Sequence, residues 1–114
     1  MRSSLPIVFA ALLAACGSSD NVTTAPIVQV PTAASVNMVS RTFTPASVEV
    51  ASGAVITFTN SDGFNHNVTF ANASVGTIPN FATGSKTITM PAVAGTYAYS
   101  CTLHSGMAGS VTVK

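Results

Sequence analysis

Apolar and β-branched residues come in short runs along residues 36 to 114, and Pro, Gly, Asn and Asp residues interrupt the runs. No window has the helical period of about 3.6 residues, whereas alternation at every second position is common. The interruptions supply the residues that chain reversals need. The pattern therefore predicts an all-β sandwich of about seven strands, at residues 36–43, 47–50, 54–60, 66–70, 86–90, 96–100 and 110–113.

Alternation within these strands predicts which side chains face the interior. Ala54, Ile56 and Phe58 share one face of their strand, and we expect that face to be buried. The same spacing places Cys101 in line with the tyrosines at positions 97 and 99, so Cys101 should project inward at the end of its strand.

The segment 71–85 lacks a clear alternating pattern. We expect an irregular connection there, with Ile78 and Phe81 packed back against the core.

The N-terminal residues have a different character. Arg2 precedes an apolar run over residues 5–15, which is too short for a membrane-spanning helix of about 20 residues and is typical of a secretory signal peptide. The run ends in Leu-Ala-Ala-Cys at Cys16 and resembles the bacterial lipoprotein signal, in which the cysteine receives lipid. The alternative is an ordinary signal peptide with an incidental cysteine.

The lipoprotein resemblance implies a chain anchored by lipid to a membrane of the bacterial cell envelope, facing the periplasm. Gly17 after the cysteine favours the outer membrane where the organism has one. Residues 16–35 are rich in Ser, Thr, Ala, Val and Pro and are expected to form a flexible tether. Residues 36–114 would then be the folded domain.

Composition limits the possible partners. Apolar residues make up 47% of the sequence and charged residues only 6%, so the clustered Lys and Arg side chains of a nucleic-acid-binding protein are missing. Without residues 1–15 the formal charges balance, with three cations and three anions: Arg41, Lys86, Lys114, Asp20, Glu49 and Asp62. Electrostatic steering toward a charged partner should be weak.

The candidate chemistry lies near the C-terminus, in the segment Cys101-Thr-Leu-His104-Ser-Gly-Met107. A thiolate, an imidazole and a thioether lie within seven residues, and His66 begins a predicted strand that could start at the same end of the sandwich. Cys16 is far from Cys101 in sequence and context, which argues against a disulfide between them.

This ligand set favours one metal. Two imidazoles, one thiolate and a weak axial thioether are typical of a blue-copper electron-transfer site. Zinc in a structural site is usually held by four Cys or His ligands, and only three residues of those types are present here. Each residue alone has an ordinary interpretation, as a core filler or a solvated loop residue, so the prediction depends on the four together.

The spacing Cys-x-x-His-x-x-Met resembles the short ligand loop of amicyanin, and the domain resembles the cupredoxins of the plastocyanin, amicyanin and pseudoazurin type. The resemblance extends to Phe43-Thr-Pro45, Phe58-Thr-Asn60, His66-Asn-Val-Thr-Phe70 and Gly95-Thr-Tyr97. It implies a Greek-key sandwich that binds one copper ion through the Nδ1 atoms of His66 and His104, the sulfur of Cys101 and the axial sulfur of Met107.

The resemblance also implies a function and further roles. Asn67 would link the two ligand loops and donate its backbone amide to the Cys101 sulfur. The protein would be a monomeric one-electron carrier, and redox partner proteins would dock near His104, in an apolar surrounding formed by Gly63, Phe64, Leu103 and Gly106.

An alternative is a periplasmic protein that stores or delivers copper, for which exposed, exchangeable ligands would be expected. A copper enzyme would need additional histidines for its further metal sites. The chain has two histidines, and both are used by the predicted site. We therefore expect no enzymatic activity.

Overall fold

The computed structural model describes residues 29–114, which form nine β-strands and no helix. No helix long and apolar enough to cross a bilayer is therefore found within that range. The predictions for the signal peptide, Cys16 and most of the tether lie outside the described residues. The strands are β1 Ala33–Val39, β2 Thr42–Thr44, β3 Ser47–Val50, β4 Val55–Asn60, β5 His66–Phe70, β6 Thr77–Phe81, β7 Gly84–Thr89, β8 Gly95–Ser100 and β9 Ala108–Val113.

The strands form two sheets, which confirms the predicted all-β sandwich. One sheet has the order β2-β1-β4-β7 and the other has the order β3-β9-β8-β5-β6. Strands β1 and β4 are parallel, as are β3 and β9, and the other neighbours are antiparallel. Chain segments therefore cross repeatedly between the sheets, so most pairings join residues that are distant in sequence.

The predicted count of seven strands was wrong, partly because the first predicted strand is a hairpin. Strand β1 ends at Val39 and β2 begins at Thr42, with Ser40 and Arg41 as a two-residue loop. Both loop residues have positive φ, 53° and 59°, as a type I′ turn requires. Such turns favour Asn-Gly, so the Ser-Arg sequence gave no signal of a reversal.

The other additional strand is β6, within the segment 71–85 that was expected to be irregular. Its pattern is weak because Pro79 interrupts it, and a proline is tolerated since β6 lies at the edge of its sheet. Ile78 and Phe81 are buried, which confirms their predicted packing against the core.

The interior between the sheets is apolar and includes the predicted faces. Ala54, Ile56 and Phe58 are almost completely buried, whereas Val55 between them is exposed. Tyr99 packs edge-on against Phe58, with ring centroids 5.3 Å apart. These contacts give a close-packed scaffold behind the end of the sandwich that is described next.

The topology brings the predicted ligands to one end of the second sheet. Strands β5 and β8 are antiparallel neighbours with Thr69 opposite Ser100. The beginning of β5 and the end of β8 therefore lie side by side. His66 is the first residue of β5, and Cys101 directly follows the last residue of β8. The loop from Cys101 to Met107 then connects β8 to β9 at the same end.

Candidate metal centre

Three potential ligand atoms converge at this end of the sandwich. One ligand atom from each of His66, Cys101 and His104 lies within 4.8 Å of the other two. The Cys101 Sγ atom is 3.8 Å from Nδ1 of His66 and 3.6 Å from Nδ1 of His104. Ligands at about 2.0–2.3 Å around a central ion are about 3.5–4.0 Å apart in a trigonal arrangement. The spacing therefore fits one metal ion held by two imidazoles and a thiolate.

Met107 lies at the end of a tightly closed loop. The amide of Cys101 donates to the carbonyl of Met107 at 3.0 Å, and the amide of Met107 donates to the carbonyl of His104 at 3.2 Å. Gly106 takes a φ of 83°, which a residue with a Cβ rarely adopts. The Met107 side chain is buried in the core cluster, where its thioether is available as a soft ligand.

His66 is completely buried, and its ring orientation is fixed by a carboxylate. Its Nε2 atom lies 2.7 Å from Oδ2 of Asp62. An ionised carboxylate can only accept a hydrogen bond, so Nε2 holds the proton and Nδ1 is left free to bind a metal. The backbone amide of Arg41 and the His66 side chain both donate to Asp62 and hold the pKa of its carboxyl below the ordinary value of 3.8.

Asp62 was not among the predicted site residues. In the sequence, Asp62 stands out only as one of the few charged residues. The acidic residue four positions before a candidate ligand was the available signal. Its significance depends on the amides of Ser40 and Arg41, which are more than 20 residues away in sequence and also donate to the carboxylate.

Asn67 connects the two segments that bear the predicted ligands. Its backbone amide donates to the Cys101 sulfur at 3.5 Å. Its side-chain nitrogen donates to the hydroxyl of Thr102 at 2.8 Å and to Asn80 at 2.9 Å, and its side-chain oxygen accepts from the Thr102 amide at 3.1 Å. The residue after the first histidine and the residue after the cysteine are thereby held together, which fixes the Cys101 sulfur relative to His66.

The outer side of the centre is partly open to solvent. His104 is half-buried, and its ring lies 4.8 Å from that of His66, centroid to centroid. Phe64 contacts both imidazole rings and is 40% exposed, while Leu103 is 47% exposed. The guanidinium of Arg41 lies over the Phe64 ring at 5.5 Å. An exposed apolar surface therefore adjoins His104.

The structure thus brings His66, Cys101 and His104 together, buries Met107 in the connecting loop and places Asn67 between the two ligand segments. The role of each residue as a ligand stays a prediction. Cys16 lies outside the described residues.

Comparison with known proteins agrees with this geometry. Residues 28–114 match the family described as "Copper binding proteins, plastocyanin/azurin family". A plastocyanin from Scenedesmus fuscus is 34% identical over 84 residues, which cover 63% of this chain and 86% of that protein.

Solved structures of amicyanin variants are similar in fold and in sequence. A reduced Cu(I) form has a TM-score of 0.65 and 29% identity, and the match covers 72% of this chain and 82% of the amicyanin chain. An oxidized variant has a TM-score of 0.64 and 28% identity with the same coverage. The residues found at the end of the sandwich fit copper as the cofactor.

Proposed function

This chain belongs to the plastocyanin/azurin family of copper-binding proteins, and on that premise we propose that it acts as a one-electron carrier with a single blue-copper centre. The observation that supports this most directly is the convergence of the Cys101 sulfur with the Nδ1 atoms of His66 and His104. We assign these three residues as copper ligands and Met107 as the weak axial ligand.

Bound copper would supply reversible change between Cu(I) and Cu(II), and the protein supplies a site that is already assembled. His66 is held by Asp62, and Cys101 is held at the end of β8 by the Asn67 amide. Met107 and Cys101 are joined through the backbone of the ligand loop. A rigid arrangement of this kind suits electron transfer, because little atomic movement is then needed when the charge at the centre changes.

We assign His104 as the point at which electrons enter and leave. Of the two histidines, His104 is the half-buried one. The exposed ring of Phe64 packs against the His104 ring, and the exposed Leu103 precedes His104 in the sequence. The charges of the chain are few and nearly balanced, so brief docking would depend on apolar contact rather than on steering. We expect a monomer that docks redox partner proteins at this surface.

Storage or delivery of copper is less well supported by the burial of the ligands. His66 is inaccessible to solvent, and Cys101 and Met107 are 3% and 2% exposed. A delivery protein must release its ion by ligand exchange, which a buried and hydrogen-bonded ligand set disfavours.

We further propose that the protein works in the bacterial cell envelope, tethered by lipid on Cys16 and facing the periplasm. The support is the apolar run over residues 5–15 and the cysteine that ends it. Radiolabelled palmitate fed to cells should label the wild-type chain and leave a Cys16→Ser variant unlabelled. Labelling of neither chain would contradict lipid anchoring.

The electron-carrier proposal is tested by the visible spectrum and electrochemistry of the copper-loaded protein. We expect an intense visible band from the Cys101 thiolate, which bleaches with a mild reductant and returns on oxidation, together with reversible one-electron voltammetry. Cys101→Ser should lack the band while keeping the fold, since the change is nearly isosteric. A weak spectrum with loosely bound copper in the wild type would contradict the proposal and favour delivery.

A further inference from the structure

The Asp62 carboxylate joins the metal centre to a turn that is distant in sequence. Its side chain is 9% exposed and accepts three hydrogen bonds among the described residues. The donors are the amide of Ser40 at 2.7 Å, the amide of Arg41 at 3.0 Å and Nε2 of His66 at 2.7 Å. Both carboxylate oxygens are occupied, so the position of the charge relative to the His66 ring is fixed.

The turn that holds Asp62 has an unfavourable backbone conformation. Ser40 and Arg41 both have positive φ, although neither is Gly or Asn, the residues that tolerate this region best. This conformation directs two successive amides at one carboxylate. Unfavourable backbone conformations of this kind tend to occur near functional sites.

The charge of Asp62 is directed at His66 rather than at a cation. The guanidinium of Arg41 lies over the ring of Phe64, and in the described part of the chain the ion-pair contact of Asp62 is the one with His66. Glu49, the other acidic residue in that part, pairs with Lys114 at the far end of strand β9 from the ligand loop. Within the described residues, Asp62 is therefore the acidic residue that contacts a proposed metal ligand.

From this geometry we propose that Asp62 is a positioning residue that sets both the orientation of His66 and the redox preference of the copper centre. Its carboxylate accepts the Nε2 proton, keeps Nδ1 directed at the metal and increases the electron density on that nitrogen. A more electron-rich ligand stabilises Cu(II) more than Cu(I), so Asp62 lowers the reduction potential. This inference rests on the proposed function.

The main test is the midpoint potential of the copper-loaded Asp62→Asn variant. The side chain keeps its shape and one oxygen acceptor but loses its charge, so we expect the potential to rise and the affinity for Cu(II) to fall relative to that for Cu(I). Glu49→Gln removes the same charge far from the site and should leave the potential unchanged. An unchanged potential in Asp62→Asn, or an equal rise in Glu49→Gln, would overturn the proposal.

A second variant separates the electrostatic role from support of the turn. Ser40→Gly relieves the positive φ at Ser40 without changing a charge. We expect Asp62→Asn alone to lower the free energy of unfolding, because the turn loses the carboxylate that holds it. In the Asp62→Asn, Ser40→Gly double variant this loss should be largely recovered while the midpoint potential stays raised. If the potential returned to the wild-type value together with the stability, Asp62 would act only by holding the turn, and the proposal would fail.

A measurement on the wild-type chain does not depend on any variant or on a blue-copper spectrum. In nitrogen-15-edited proton NMR spectra of the diamagnetic Cu(I) or copper-free protein, the signal of the His66 Nε2 proton should be shifted downfield. This proton should also be protected from exchange with solvent. The His104 ring proton should exchange rapidly. Rapid exchange at His66 would overturn the proposal, whereas a missing blue band with a protected His66 proton would count against the electron-carrier function alone.

Discussion

The two histidines of the centre are held in different ways. His66 belongs to a strand, is completely buried and is fixed by a carboxylate that is itself held by two backbone amides. His104 belongs to the short loop after β8, is half-buried, and its ring makes its polar contact within the described residues to Cys101 alone. His66 is therefore part of the scaffold, while His104, as a proposed ligand, is held less firmly and lies closer to solvent.

This difference separates two requirements of an electron carrier. A fixed inner ligand maintains the geometry of the centre, and a ligand near the surface brings the centre close to a partner. His66 on β5, the strand half of the site, would supply the fixed geometry. His104 in the loop after β8, the loop half, would supply the closeness to a partner. Variants in each half should consequently affect folding and metal binding in different proportions.

The largest effect on folding is expected from His66→Ala. The change leaves a buried cavity and removes the donor to Asp62, so we expect the copper-free protein to lose about 2–4 kcal/mol of its free energy of unfolding, in addition to losing copper. Urea denaturation of the copper-free protein measures the change. A loss no greater than that in His104→Ala would contradict the proposed difference between the halves.

A smaller loss is expected when the connection between the halves is broken. Asn67→Ala removes three part-buried hydrogen bonds to Asn80 and Thr102, at a cost of about 1–3 kcal/mol in the free energy of unfolding. The visible copper band should weaken, because Cys101 would be less well positioned. Asn72→Ala is a matched control, since Asn72 bonds only locally to Ser74, and its effect should stay within about 0.5 kcal/mol.

A gain in stability is expected on β8, the strand that leads to the loop half. The Tyr99 hydroxyl is buried and has no hydrogen-bond partner among the described residues, and it lies directly over Gly109. Tyr99→Phe should stabilise the protein by about 1 kcal/mol, because an unpaired buried hydroxyl is removed. Tyr97→Phe is the contrasting variant and should destabilise, since the Tyr97 hydroxyl donates to the carbonyl of Val93.

Tyr99 also gives a pH dependence. Burial raises the pKa of Tyr99 from 10.0 to about 12, so above pH 10 the unfolded chain loses this proton more readily than the folded protein does. Stability contributed by the neutral phenol is present below pH 10 and is lost as pH rises through 12. Chemical denaturation at pH 9 to 11 should show a shallower decline in Tyr99→Phe; parallel declines would contradict the assignment.

The smallest effect on folding is expected from His104→Gly, at about 0.5 kcal/mol or less for a partly exposed loop residue. Copper binding should nevertheless fail, and added imidazole should restore the visible band by entering from solvent. In His66→Gly the buried position should prevent such rescue. Equal rescue of both variants would show that the two sites are equally accessible.

Much of the fold and site could be predicted because the signals were local. Strict alternation identified the buried faces of β4 and β8, and the ligand types lay at the ends of predicted strands. The hairpin at Ser40 and Arg41 could not be predicted, because its positive φ angles are stabilised by Asp62 through tertiary hydrogen bonds rather than by residue preference. Strand β6 was missed for a similar reason, since it depends on pairing with β5 across an irregular register.

The position of β9 has a consequence for how the protein is made. This strand comes last of the nine in the chain but lies between β3 and β8 in the sheet, and Cys101, His104 and Met107 immediately precede it. Until β9 has been synthesised, β3 and β8 have no common neighbour, and such non-local pairing is slow to form. A chain that lacks β9 would already contain all four predicted ligands, but the loop that bears three of them would not yet be closed by the pairing of β9 with β8, so we expect the copper site to assemble only when β9 joins the sheet.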